Sequence, residues 1–292
     1  MAAYTIENEK LSVTIDAHGA ELSSIYDKEN DRELIWQADP AFWNRHAPVL
    51  FPNVGKYYGG HFTYNGKAYP MGQHGFARDM EFEIESQKND EAWFLLRSNM
   101  ETLVKYPFEF ELKVGYKLEG SSIKVYWIVK NIDTKELLFS IGGHPAFMCP
   151  VSDDINQSDC YIKFDTEKDL KYGLLNSDGL LLNDVHTLKN ENGFCKIDEH
   201  MFDKDALIIE EKQASKVSLC TPDKKPYLTV TFDAPLFGLW SPAGKNAPFV
   251  CIEPWYGRCD RADFAGTLAE REYGNKLAAG EEYKKEFTIT IE

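Results

Sequence analysis

The strongest signal along the chain is alternation with a period of two residues. Leu11, Val13 and Ile15 alternate with polar neighbours, as do Phe82 and Ile84. The pattern recurs at Phe108, Phe110, Leu112 and Val114, at Ile123, Val125 and Trp127, at Leu228, Val230 and Phe232, and at Phe287, Ile289 and Ile291. Side chains of a strand point to opposite faces in turn, so each run predicts a strand with one apolar face turned to a core. Many of these residues are β-branched or aromatic, which suits a half-buried pleated surface. Turn-forming residues separate the runs. Asn65-Gly66 has the composition of a two-residue hairpin turn, and Glu119-Gly120-Ser121, Ser177-Asp178-Gly179 and Pro242-Ala243-Gly244 break other runs. Long helical stripes are missing, and the best short helical candidates are 40–44 and 262–264. Many strands at short intervals predict an all-β fold, a large antiparallel sandwich or barrel. No linker-like stretch and no internal repeat interrupts the chain, so residues 1–292 read as one domain rather than two tandem sandwiches.

Composition narrows the partners. With 47 acidic and 32 basic residues the formal net charge is −15, which argues against a general nucleic-acid binder, whose surface must displace counterions. No apolar run approaches the roughly 20 residues a membrane helix needs, and the N-terminal stretch lacks the basic start and apolar core of a secretory signal. The chain therefore reads as cytoplasmic, with no membrane partner. Six cysteines (149, 160, 195, 220, 251 and 259) are scattered without a C-x-x-C pair and read as free thiols in or beside strands.

Three segments leave the strand pattern and carry groups able to move protons. In GQHGFARD (72–79), His74 lies between glycines, with Arg78 just beyond; in IGGHPAFMCP (141–150), His144 follows a glycine pair and precedes Pro145. Glycine lets a ligand or another backbone approach closely. In FVCIEPWYGRCD (249–260), Glu253 closes an apolar run. Burial there favours the neutral acid and raises proton affinity. The neighbouring Trp255 and Tyr256 offer flat apolar faces to a sugar ring, or serve equally well as core. His18, His46, His61, His186 and His200 have no comparable setting and read as surface or hydrogen-bonded residues.

PVLFPNVGKYYGG (48–60), QHGFAR (73–78), GGHPAF (142–147) and CIEPW (251–255), in that order, together with the pair FDKDALII (202–209) and LWSPAGK (239–245), resemble the aldose 1-epimerase (galactose mutarotase-like) superfamily, and within it the LacX-type branch. The resemblance spans nearly the whole chain and rests on the order of the motifs more than on any one of them. It implies a β-supersandwich with a sugar site on one concave sheet face; the reaction it implies has no redox or carbanion step and so calls for no cofactor. It places the family's catalytic glutamate at Glu253, its acid histidine at His144 and its second histidine at His74. A substrate arginine of galactose mutarotases falls near Lys56, which keeps the charge and loses the bidentate fork; Arg78 is a candidate replacement. The substrate aspartate falls at Asp205, with Asp203 close by; Trp255, from its flat apolar face, is a further candidate substrate contact.

The implied reaction opens a cyclic aldose and recloses it on the other carbonyl face, with Glu253 as base, His144 as acid and His74 donating a hydrogen bond. The acid starts protonated and the base ionised, which predicts a bell-shaped pH profile. A glycoside hydrolase would need a second carboxylate beside the scissile bond; a non-catalytic carbohydrate-binding protein would bind sugar without exchanging anomers. His74, His144 and Glu253 lack a familiar metal-ligand spacing. A phosphorylated sugar would call on Lys56, Arg78, Arg258 and Arg261, the last two reading more readily as surface or ion-pair residues.

Overall fold

The computed structural model describes residues 2–152 and 154–292. Two large antiparallel sheets face each other. The nine-stranded sheet runs, in spatial order, Phe194–Lys196, Tyr161–Phe164, Lys216–Cys220, Pro226–Phe232, Glu282–Ile291, Ser122–Asn131, Phe110–Glu119, Glu91–Arg97 and Glu83–Gln87. The other runs Leu181–Leu188, Leu170–Leu175, Leu207–Ile209, Leu236–Trp240, Phe249–Tyr256, Ile141–Gly143 and Val49–Leu50, and Ala146–Met148 also pairs with Phe249–Tyr256. A four-stranded sheet, Ala3–Glu7 through Arg32–Glu33, and two short ribbons complete the expected sandwich.

The alternation carries through to packing. Leu112, Val114, Ile123, Val125, Trp127, Val230, Phe287 and Ile289 are all buried in one continuous core, together with Val250, Ile252 and Tyr256 of the opposing sheet. Trp127 bridges the layers, its ring 6.3 Å from that of Tyr256. The Asn65-Gly66 hairpin has positive φ at both residues (48° and 74°), the conformation that matches strand twist in a two-residue turn. All six cysteines are buried and unbridged.

The helical expectations need correction. Residues 40–44 and 262–264 form turns. At the first, Phe42 and Trp43 both donate to the Asp39 carbonyl, but the carbonyls a helix would use next are taken elsewhere. Lys245 Nζ bonds those of Ala41 and Phe42 at 2.9 Å, and the Trp36 indole bonds that of Trp43 at 2.8 Å. The single α-helix among the described residues is Met100–Lys105, opened by a reciprocal Asn99–Thr102 cap. No helix among them is long and apolar enough to cross a membrane.

Candidate active site

The strand Phe249–Tyr256 is buried along its full length because both of its faces are covered. Val250, Ile252 and Tyr256 enter the inter-sheet core. Cys251, Glu253 and Trp255 alternate with them and point to the opposite face, where Trp255 packs with Leu50, Val54, Ile208 and Leu236. Two glycines make room for that indole: a Cβ at Gly142 or Gly238 would lie 2.7 Å from it. Glu253 is thereby set in the floor of a cavity of about 370 Å³, 1% exposed.

His144 reaches the same cavity from the end of Ile141–Gly143. Gly142 pairs with Trp255, and Ala146, beyond Pro145, pairs with Cys251, so His144 stands opposite Glu253. Its Nε2 lies 3.3 Å from Glu253 Oε2 without hydrogen-bond alignment, and both carboxylate oxygens lack a partner. Trp43 stacks on the imidazole at 4.8 Å and Trp240 meets it edge-on at 5.4 Å.

His74 comes from a third segment and stands 5.6 Å from His144, ring to ring. It has φ 66° and Gly75 has φ 72°, a left-handed pair that turns the loop back onto the sheet. The His74 amide donates to the Gly55 carbonyl at 2.8 Å, and the Gly55 amide donates to His74 Nδ1 at 3.0 Å. Burial, then the neighbouring His144 and Arg78, holds His74 well below its ordinary value. The ring is neutral, and since Nδ1 accepts from the Gly55 amide, the proton sits on Nε2; a neutral imidazole cannot accept at both nitrogens, so the Gln73 side-chain amide, 3.2 Å away, presents its oxygen to that proton. Only glycine fits position 75, because a Cβ there would stand 2.2 Å from the Phe51 carbonyl oxygen. Gly75→Ala is expected to lower the urea midpoint, with about 1–3 kcal/mol lost to backbone strain alone; an unchanged midpoint would show that the loop relaxes without strain.

The resting protonation differs from the one the sequence suggests. Burial pushes His144 down to about 3. Burial, reinforced by the Asp205 carboxylate, raises Glu253 well above the usual carboxylate range. Both shifts favour the neutral forms, so the pair's titrating proton sits on the carboxyl rather than on the imidazole. Desolvation disfavours a charge on either group and outweighs the opposing pull of the Trp255 indole on Glu253 and of the backbone on His144.

A family model for aldose 1-epimerase matches residues 2–290. The chain belongs to the aldose 1-epimerase family. It is 31% identical to Protein LacX (plasmid) of Lactococcus lactis subsp. lactis over 300 residues, 98% of each chain, which places it in the LacX-type branch. A galactose mutarotase related enzyme from Lactobacillus acidophilus has a TM-score of 0.94 at 38% identity, over 100% of this chain and 97% of its own. A galactose mutarotase-like protein from Lactobacillus casei has a TM-score of 0.93 at 31% identity, over 100% of both chains.

In this aldose 1-epimerase family member, Arg78, Asp205 and Trp255 line the cavity with Glu253, His144 and His74. Asp203 does not; it lies in an adjoining outer groove and pairs with His200 at 2.9 Å. Lys56 lines that groove too, its side chain lying over Gly179, rather than the inner cavity. Tyr256 is turned into the core. Arg258 and Arg261 are held by Glu210 and Glu272 in ion pairs. Arg78 donates to the Gln73 carbonyl at 2.7 Å, and its buried Nε, 3.9 Å from Asp79 Oδ2, makes no hydrogen bond; burial, then the nearby Arg45 charge, lowers it to about 10. Trp43, Arg45, Gln73 and Trp240 also line the cavity, and the sequence reading missed all four. The signal available was position: Gln73 and Trp240 lie inside QHGFAR and LWSPAGK, and Trp43 and Arg45 lie just before PVLFPNVGKYYGG. Among the described residues one donor set is close enough to share a metal ion: His144, Cys251 and Glu253, within 4.8 Å of one another.

Proposed function

We propose that the protein interconverts the α and β anomers of a cyclic aldose by acid–base ring opening and reclosure, acting as one domain across residues 1–292. The observation that carries this reading is the meeting of His74, His144 and Glu253, from three distant segments, on one cavity of monosaccharide size. Sugar hydroxyls entering the cavity supply the hydrogen bonds that the Glu253 carboxylate lacks. The proton then passes to His144 across their 3.3 Å contact. Glu253 takes the proton of the anomeric hydroxyl as His144 delivers one to the ring oxygen; rotation about the first carbon–carbon bond and the reverse transfers give the other anomer. His74, neutral and with its proton on Nε2, donates to the developing charge. Arg78 and Asp205 orient the remaining hydroxyls, and Trp43 and Trp240 hold the acid imidazole in place.

The test is NMR exchange of anomeric protons across free and phosphorylated aldoses. Acceleration over buffer with at least one sugar is expected. Saturable binding without acceleration would make this a binding protein, and release of the aglycone from an aryl glycoside would make it a hydrolase. The pH dependence has a definite sign. The active form carries one proton on the pair, so activity rises as the doubly protonated pair loses a proton, near the depressed His144 value of about 3. It falls only above the raised Glu253 value. Activity is therefore expected to persist as pH falls through 6.5, the ordinary histidine value; a loss there would mean that His144 titrates as a solvated imidazole.

A further inference from the structure

We propose that Cys251 completes, with His144 and Glu253, a binding site for a thiophilic divalent cation of the zinc type, and that filling it switches the acid–base pair off. The inhibitory part rests on the proposed anomer exchange; the metal site does not.

Cys251 and Glu253 are two residues apart on one face of the same strand, and His144 stands opposite them on the segment paired with it. One donor atom from each lies within 4.8 Å of the other two. Tetrahedral zinc, with bonds of about 2.0–2.3 Å to nitrogen, oxygen and sulfur, sets its donors roughly 3.3–3.8 Å apart. Small side-chain rotations therefore close the set around an ion. One thiol, one imidazole and one carboxyl suit zinc better than magnesium or calcium, which prefer oxygen alone.

A second observation points to a missing ligand. Both Glu253 oxygens are buried without hydrogen-bond partners, whereas buried polar atoms are nearly always paired. A divalent ion offsets the two anions formed as the Cys251 thiol and the Glu253 carboxyl release their protons to solvent. Its affinity therefore rises with pH. Glu253 and His144 face the cavity, which gives the ion an entry path and leaves its fourth position to water or a sugar hydroxyl. With their lone pairs on the metal, Glu253 cannot accept a proton and His144 cannot deliver one.

The experiment titrates the chelator-treated full-length protein with Co2+ and then Zn2+, reading the thiolate-to-cobalt charge-transfer band and the rate of anomer exchange. One equivalent of Co2+ is expected to produce the band, and Zn2+ to displace it. Zn2+ should slow exchange, and a chelator should restore it. Cys251→Ala should abolish the band, keep metal-free exchange and raise the Zn2+ concentration for half-inhibition at least tenfold. Cys251→Val, which keeps strand preference and bulk, serves if the smaller side chain perturbs folding. Absence of the band in the wild-type protein, or equal inhibition with and without the thiol, overturns the site. Loss of exchange alone would remove the proposed function and leave the band to judge the metal.

Discussion

Replacing Glu253 with glutamine is expected to cut anomer exchange by about 10²–10⁴-fold and, at the same time, to make the protein more stable above neutral pH. The two effects share a cause. Glu253 is 1% exposed and has no hydrogen-bond partner, so its carboxyl is held neutral well above the ordinary value of 4.5. Below 4.5 both the native and the unfolded chain carry the proton, and the group contributes no difference. Above it the unfolded chain ionises while the native state keeps its proton. Native stability therefore falls as pH rises toward the native value. Glutamine has nearly the same shape and does not titrate. The gain in Tm should be small under acidic conditions and grow with pH. Calorimetry across that range checks it, and a gain independent of pH would mean that the carboxyl is not held neutral. Retained exchange in the variant would remove Glu253 from the chemistry.

Legibility in the sequence followed the physics of each element. Strands with one covered face, such as Ser122–Asn131, announce themselves by alternation because every second residue meets water or its edge. The strand Phe249–Tyr256 cannot, since cavity and core bury both of its sides; its polar exception, Glu253, was the readable feature. His74 and His144 were readable from their glycine settings. Arg45 was not, because its role arises only in space: it pairs with Asp79, 34 residues away, at 2.6 Å and lines the cavity beside Arg78. The six-residue helix Met100–Lys105 is too short for a periodic stripe, and its cap was the one local sign. The protonation of the Glu253–His144 pair was out of reach for a similar reason, as desolvation depends on what three distant segments exclude together.

Arg271→Ala is expected to destabilise the fold by about 3–5 kcal/mol and to disturb the site without touching it. Arg271 Nε meets Asp260 Oδ1 at 2.6 Å, with the two side chains 3% and 4% exposed, and its guanidinium lies 4.3 Å from the centre of the Tyr57 ring. Truncation leaves the Asp260 carboxylate buried without its countercharge. That carboxylate also accepts from the Tyr58 amide at 2.8 Å, and the Asp260 amide donates to the Lys56 carbonyl at 3.0 Å. Together these bonds anchor residues 56–58, immediately after the Gly55 amide that fixes the His74 tautomer. Urea unfolding should therefore show a loss of this size, and residual exchange should fall beyond what the unfolded fraction explains. The double variant Arg271→Ala, Asp260→Ala separates charge from packing. Removing both partners takes away the stranded carboxylate, so the double variant should be more stable than Arg271→Ala alone. If instead the two losses simply add, Arg271 acts through its packing on Tyr57, and the ion pair is incidental to how His74 is held.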